Sequence, residues 1–110
     1  MSGRFIGSSL ALLLMALAAC SAGGAQEGEG LPAQGKRLFT VQGCYGCHMI
    51  GKFGTPIAPD LSHLGAKYNL ADLTRWLRDP SAQKPTAHMP RINLTEAEVQ
   101  ALAAYLASLR

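Results

Sequence analysis

Cys44, Cys47 and His48 stand in the run Cys44-Tyr45-Gly46-Cys47-His48, which brings two thiols and an imidazole together on one short stretch. Two sulfurs about one helical turn apart can each add to a vinyl group of the same porphyrin, and the adjoining His then directs a ring nitrogen at the iron. The product is a covalently held haem c. Two other uses of such a pair are thiol–disulfide exchange and one half of a tetrahedral zinc site. A dithiol enzyme needs a βαβ surrounding that the rest of the chain does not offer. Zinc needs a second ligand pair, and neither His63 nor His88 has a cysteine beside it. Elsewhere no Ser or Cys nucleophile pairs with a base, no acidic dyad is evident and there is no phosphate loop, so no residue is assigned a catalytic role.

The elements that position this run read as helices. From Leu31, Pro32 suits a first helical turn, Leu38 and Phe39 supply an apolar face, and Gly43 is placed to end the segment just before the cysteines. Gly35 sits mid-helix at a cost of ~1 kcal/mol relative to Ala, which implies that another backbone or ring packs closely there. At the other end Thr95 and Glu98 form a capping-box pattern, followed by Val99, Leu102, Leu106 and Leu109 at helical spacing down to Arg110. Between them, residues 61–68 and 70–78 read as two shorter helices, the second burying Leu73, Trp76 and Leu77 and stopped by Asp79-Pro80. Residues 80–93 hold three prolines and no period, which is long for an idle connection and typical of a loop that serves a site. No segment alternates as a strand should, so the fold class is all-α.

With 110 residues the chain supports one small domain, and its N-terminal fifth does not read as part of it. The formal charge of +3 is carried by scattered side chains, Lys36, Arg37, Lys52, Lys67, Arg75, Arg78, Lys84 and Arg91 among them. These read as a solvated surface or as a mildly basic rim around a docking site, and they exclude a nucleic-acid stripe. Residues 1–19 have the parts of an export signal: Arg4, an apolar run from Leu10 to Leu17, and the small Ala18 and Ala19. The apolar stretch falls short of the ~20 residues a membrane span needs, which leaves an uncleaved anchor as the lesser alternative. Leu17-Ala18-Ala19-Cys20 resembles a bacterial lipobox, and that resemblance implies a diacylglycerol on the Cys20 sulfur. Ordinary cleavage after Ala18 is the competing outcome, and it would leave Cys20 a free thiol in an oxidising compartment. Residues 21–30, SAGGAQEGEG, read as a flexible tether with a root-mean-square reach of roughly 17 Å. The expected division is thus signal 1–19, lipidated Cys20 and tether 20–30, and domain 31–110.

From about Gly35 to Arg110 the chain resembles the class I cytochrome c family, whose fold of about four helices wraps one covalently bound haem. The family brings a Gly and an aromatic four residues later on its N-terminal helix against an aromatic on its C-terminal helix. The matching residues are Gly35, Phe39 and Tyr105, with Leu102 and Leu106 beside it. The resemblance implies that Pro59, or less well Pro56, offers a backbone carbonyl to the far ring nitrogen of His48, fixing its tautomer. It also implies a Met from the loop before the C-terminal helix as the second axial ligand. Met89 of His88-Met89-Pro90 fits, since Met1 and Met15 lie in the signal and Met49 adjoins His48. His88 is the rival, and bis-His ligation would lower the reduction potential. Trp76 is expected to line the pocket with Leu61, Leu64, Leu73 and Leu77; Arg75, Arg78, Tyr68 and Lys67 are within reach of the propionates, and His63 belongs to the surface.

With His48 and Met89 on the iron, no position is left for a substrate, and the resemblance implies a one-electron carrier rather than an enzyme. It would work in a bacterial respiratory or related chain on the periplasmic side, held to a membrane through Cys20. Its partners are donor and acceptor proteins, with no nucleic acid and no small-molecule substrate. An accessory haem subunit of a membrane oxidoreductase complex is the principal alternative. A haem peroxidase or gas sensor would need a vacant sixth position, against which Met89 argues.

Overall fold

The computed structural model describes residues 30–110, together with Gly3. The expected signal, Cys20 and residues 21–29 of the tether lie outside the described residues. The domain is helical: α1 (Leu31–Val41), α2 (Leu70–Arg78), α3 (Pro80–Gln83) and α4 (Glu96–Ser108), with single 3₁₀ turns at Cys44–Gly46 and Leu64–Ala66. None of the described helices is long and apolar enough to cross a membrane.

The first and last helices pack on each other at a point where no side chain intervenes. Pro32 lies in the first turn of α1, and Gly43, at φ +77°, takes the left-handed conformation that ends the helical path. Gly35 and Phe39 are buried, one turn apart on the same face. A Cβ on Gly35 would stand 2.0 Å from the Ala101 carbonyl oxygen and 2.6 Å from the Tyr105 Cβ. The mid-helix glycine therefore allows backbone-to-side-chain approach at the crossing. α4 starts with a reciprocal capping box: Glu98 N–H donates to Thr95 Oγ1 at 3.2 Å and Thr95 N–H donates to Glu98 Oε1 at 2.9 Å. Its Leu102 and the Phe39 of α1 are 1% and 2% exposed, burial that stabilises by about 2 kcal/mol each.

α2 opens on Asn69, whose side chain accepts from Asp72 N–H at 2.9 Å, and buries Leu73, Thr74 and Leu77. Thr74 turns its hydroxyl back to the Leu70 carbonyl at 2.7 Å, so its burial leaves no donor unpaired. Arg78 at the end of α2 pairs with Glu96 at the start of α4, and that bond holds the Glu96 carboxyl below its ordinary range. The pair is exposed, so it sets registry between helices more than it stabilises.

Three expectations are corrected. Residues 61–68 do not form a helix. Leu64 opens a single 3₁₀ turn, its N–H donating to Leu61 O at 3.1 Å, and the backbone on either side is used elsewhere: Leu61 N–H donates to Met49 O at 2.9 Å and Gly65 N–H to Leu109 O at 2.7 Å. Gly65 lies so near the end of α4 that a Cβ would stand 2.0 Å from the Ala107 carbonyl. Residues 80–93 are not all loop, because Asp79 accepts from Ala82 N–H at 3.3 Å and so caps the short α3 while ending α2. Finally, two strands do occur, β1 (Met49–Ile50) and β2 (Phe53–Gly54), antiparallel with Met49 opposite Gly54 and Ile50 opposite Phe53. Two residues per strand are too few to show alternation in a sequence.

At Gly35 the better helix propensity of Ala, ~1 kcal/mol, competes with a collision against the α4 backbone, and the collision wins. Gly35→Ala should lower stability by about 2 kcal/mol net, seen as a lower urea midpoint with an unchanged m-value.

Candidate functional site

The chain leaves α1 through the left-handed Gly43 and winds into the turn that carries the two thiols. Gly46 N–H donates to Gly43 O at 2.9 Å, Cys47 N–H to Cys44 O at 3.2 Å and His48 N–H to the same oxygen at 3.0 Å. Cys44 and Cys47 are therefore one turn apart, both as free thiols. Cys44 is half-buried against the core and Cys47 is exposed. Burial pushes the Cys44 thiol above its ordinary range, with the neighbouring Cys47 adding to the effect, so Cys44 is protonated at neutral pH.

The segment after the motif folds back along it. Three backbone bonds lay it down: Thr55 N–H to His48 O at 3.3 Å, Ala58 N–H to Cys47 O at 2.8 Å, and Leu61 N–H to Met49 O at 2.9 Å. Gly54, at φ +112°, makes this possible, because a Cβ there would stand 2.0 Å from the His48 carbonyl oxygen. Ser62 Oγ accepts from Gly51 N–H at 2.7 Å and pins the hairpin turn to the same segment. The Pro59 carbonyl ends 2.7 Å from His48 Nδ1. A carbonyl only accepts, so Nδ1 carries the proton and Nε2 presents its lone pair. It is Pro59, and not Pro56, that makes this contact.

On the α2 side, Met89 is half-buried and packs on the core, whereas His88 next to it is exposed. Trp76, also half-buried, donates its indole N–H to the Met89 sulfur at 3.2 Å. Leu61, Leu73 and Leu77 belong to the buried core and Leu64 packs against it. Of the side chains considered for a propionate, Arg75 pairs with Asp72 and Arg78 with Glu96, while Lys67 and Tyr68 are exposed. His63 is exposed, at the start of the 3₁₀ turn rather than on a helix. Among the described residues no group of three or more His, Cys, Asp or Glu could hold a metal ion, so the zinc alternative lacks its donors there.

Two unbridged thiols a turn apart, an imidazole with one nitrogen fixed and the other available, and a soft thioether make a donor set that fits haem c. Phe53 and Ile57 are exposed beside the motif, 74% and 75% accessible. A family model described as Cytochrome c matches residues 32–110. The chain belongs to the cytochrome c family. Haem c with its iron, and haem-based electron transfer, are therefore the chemistry of this domain. The cytochrome is 34% identical over 91 residues to a cytochrome c oxidase subunit 2 of Alkalihalophilus pseudofirmus, a match covering 74% of this chain and 27% of that protein. It is 32% identical over 96 residues to a cytochrome c oxidase subunit 2 of a Bacillus species, strain PS3, covering 70% and 26% respectively. The chain thus spans about a quarter of the length of these curated relatives. No solved structure matches it.

One residue of the site is absent from the sequence reading. Tyr45 counts there only as a spacer between the cysteines, yet its ring meets Phe39 edge-on with centroids 4.7 Å apart. Phe39 in turn meets Tyr105 at 5.9 Å, so the motif is keyed into the crossing of α1 and α4. The only available signal was that an aromatic occupies a position where any residue would serve the thioether spacing.

A domain of about 80 residues has a thin core of its own, so the fold is expected to need its prosthetic group as the central piece. Protein carrying both Cys44→Ala and Cys47→Ala, produced without haem, should lose most of its helical circular dichroism. A cooperative thermal transition of native amplitude in that protein would contradict this.

Proposed function

We propose that this cytochrome is a one-electron carrier with a single haem c, attached through Cys44 and Cys47 and ligated by His48 and Met89. The observation that carries the reading is the Pro59 carbonyl on His48 Nδ1 at 2.7 Å, which turns the motif from a pair of thiols into an oriented ligand. The inward Met89 beside the exposed His88 favours thioether over bis-His ligation. The chemistry supplied by the bound group is one-electron exchange at its iron. The chain's own part would be to hold His48 and Met89 in place through the change of charge and to keep water from them with Leu61, Leu64, Leu73 and Leu77. In this reading no residue acts on a substrate, and the cytochrome is not itself an enzyme.

The reading includes export to the periplasmic side and a lipid on Cys20, with residues 21–30 as the tether; the support for it is the Leu17-Ala18-Ala19-Cys20 tetrad. Two acyl chains suffice for stable anchoring where one does not. A second reading, a haem-carrying subunit held in a membrane oxidoreductase complex, is favoured by the relatives named as oxidase subunits.

Met89 decides between electron transfer and ligand chemistry. The oxidised wild type should show the weak far-red charge-transfer band of an iron–thioether bond, and its ferrous form should bind carbon monoxide poorly. Met89→Ala should erase the band, lower the potential and admit carbon monoxide, while Met89→His should keep the iron closed at a lowered potential. Wild-type protein that binds carbon monoxide readily at neutral pH would favour a sensor or enzyme instead.

Cys20→Ser should move the cytochrome from the membrane to the soluble fraction without changing its visible spectrum. In detergent extracts of wild-type membranes, migration alone supports the carrier, and migration with a large oxidoreductase supports the subunit.

A further inference from the structure

The loop that delivers Met89 is lightly anchored. From Ser81 to Glu98 no side chain is fully buried, although Pro80 before this stretch and Val99 after it are. Among the described residues, those from 88 to 94 take part in no backbone hydrogen bond. The return of the loop toward α4 does not close on the helices either. A cleft of about 240 Å³ lies there, lined by Leu77, Leu94 and Val99 with Arg78 and Glu96 among its walls. A segment with so few buried contacts and backbone bonds opens locally at a fraction of the free energy of unfolding the domain.

What crosses the mouth of this loop is an ion pair. Arg78, the last residue of α2, donates from Nε to Glu96 Oε2 at 3.2 Å and from a terminal nitrogen to Glu96 Oε1, so the guanidinium fork meets both carboxylate oxygens. Glu96 is the first residue of α4, whose first turn buries nothing before Val99. Its carboxyl also accepts from Gln100 at 3.0 Å. Arg78 first and Gln100 second hold that carboxyl below its ordinary range, so the pair is charged at neutral pH. An opening that frays the first turn of α4 must break the pair, and losing the pair therefore multiplies the open population directly.

We propose that Arg78 and Glu96 are positioning residues for Met89: their ion pair latches the first turn of α4 to the end of α2 and so keeps the loop, with the sulfur it carries, from swinging away from the iron. This rests on the reading of Met89 as a ligand. The two residues act through the loop and not on the sulfur itself.

Arg78→Gln, Glu96→Gln and the two combined, each in the haem-loaded protein, test this. All should keep the far-red band, because the closed loop still dominates at equilibrium. At low carbon monoxide, capture by the ferrous protein counts how often the sixth position opens. It should run about two- to fivefold faster in each single variant, the size expected of one exposed ion pair. The combined variant should be no faster than the singles, since a pair already broken has nothing more to lose. A second readout does not involve the iron. Tryptic cleavage of the folded protein after Arg91, inside the loop, should accelerate by the same factor, and low urea should change it little, as for an opening that exposes little surface. Capture and cleavage at the wild-type rate in Arg78→Gln, or a combined variant in which the two effects multiply, would overturn the proposal. So would cleavage whose urea dependence matches that of global unfolding, since the loop would then open only with the whole fold. Should Met89→Ala leave the far-red band intact, the ligand assignment itself fails, and the two failures are thereby told apart.

Discussion

The close crossing of α1 and α4 is the constraint on which the rest of the domain depends. Because position 35 has no Cβ, the helices approach until the Ala101 carbonyl and the Tyr105 side chain fill the space that an alanine methyl would need. The haem motif begins three residues after α1 ends, so the direction in which the chain enters Cys44 is set by this crossing. Tyr45 reinforces it from inside the motif through its edge-on contact with Phe39, whose ring also meets Tyr105. The hydroxyl of Tyr105 is also pushed above its ordinary range, chiefly by burial, so the ring stays neutral where a phenolate would be costly.

The two terminal helices and the thiol–imidazole run were legible in the sequence because their signals are local. A capping box, a glycine after an apolar face and a fixed cysteine spacing each declare themselves within a few residues. Residues 61–68 misled for the opposite reason. An i, i+3 pair of leucines fits one 3₁₀ turn as well as the start of an α-helix, and what chose between them was the demand of Met49 and Leu109 for backbone donors far away in sequence. The β1–β2 hairpin was invisible because its strands are shorter than the pattern used to find strands. Pro59 was placed by resemblance, and the physical reason for its position, a glycine at +112° letting the segment fold onto His48, shows only in three dimensions.

His48 and Met89 are held in parallel ways by unlike means. A backbone carbonyl orients an imidazole on one side, and an indole N–H orients a thioether on the other. Each partner takes up one valence of its donor and leaves one to spare. The partners have opposite electronic effects: an acceptor makes the imidazole more basic, while a donor makes the sulfur less so.

The segment that carries Pro59 is attached to the motif by the carbonyls of Cys47, His48 and Met49 and by amide donors at Thr55, Ala58 and Leu61. Side chains take no part in those bonds. Phe53, Pro56 and Ile57 can therefore exchange size and polarity without withdrawing a single bond that orients His48. The rim beside the motif is in this sense a blank label: what it carries can be rewritten while the imidazole behind it keeps its aim.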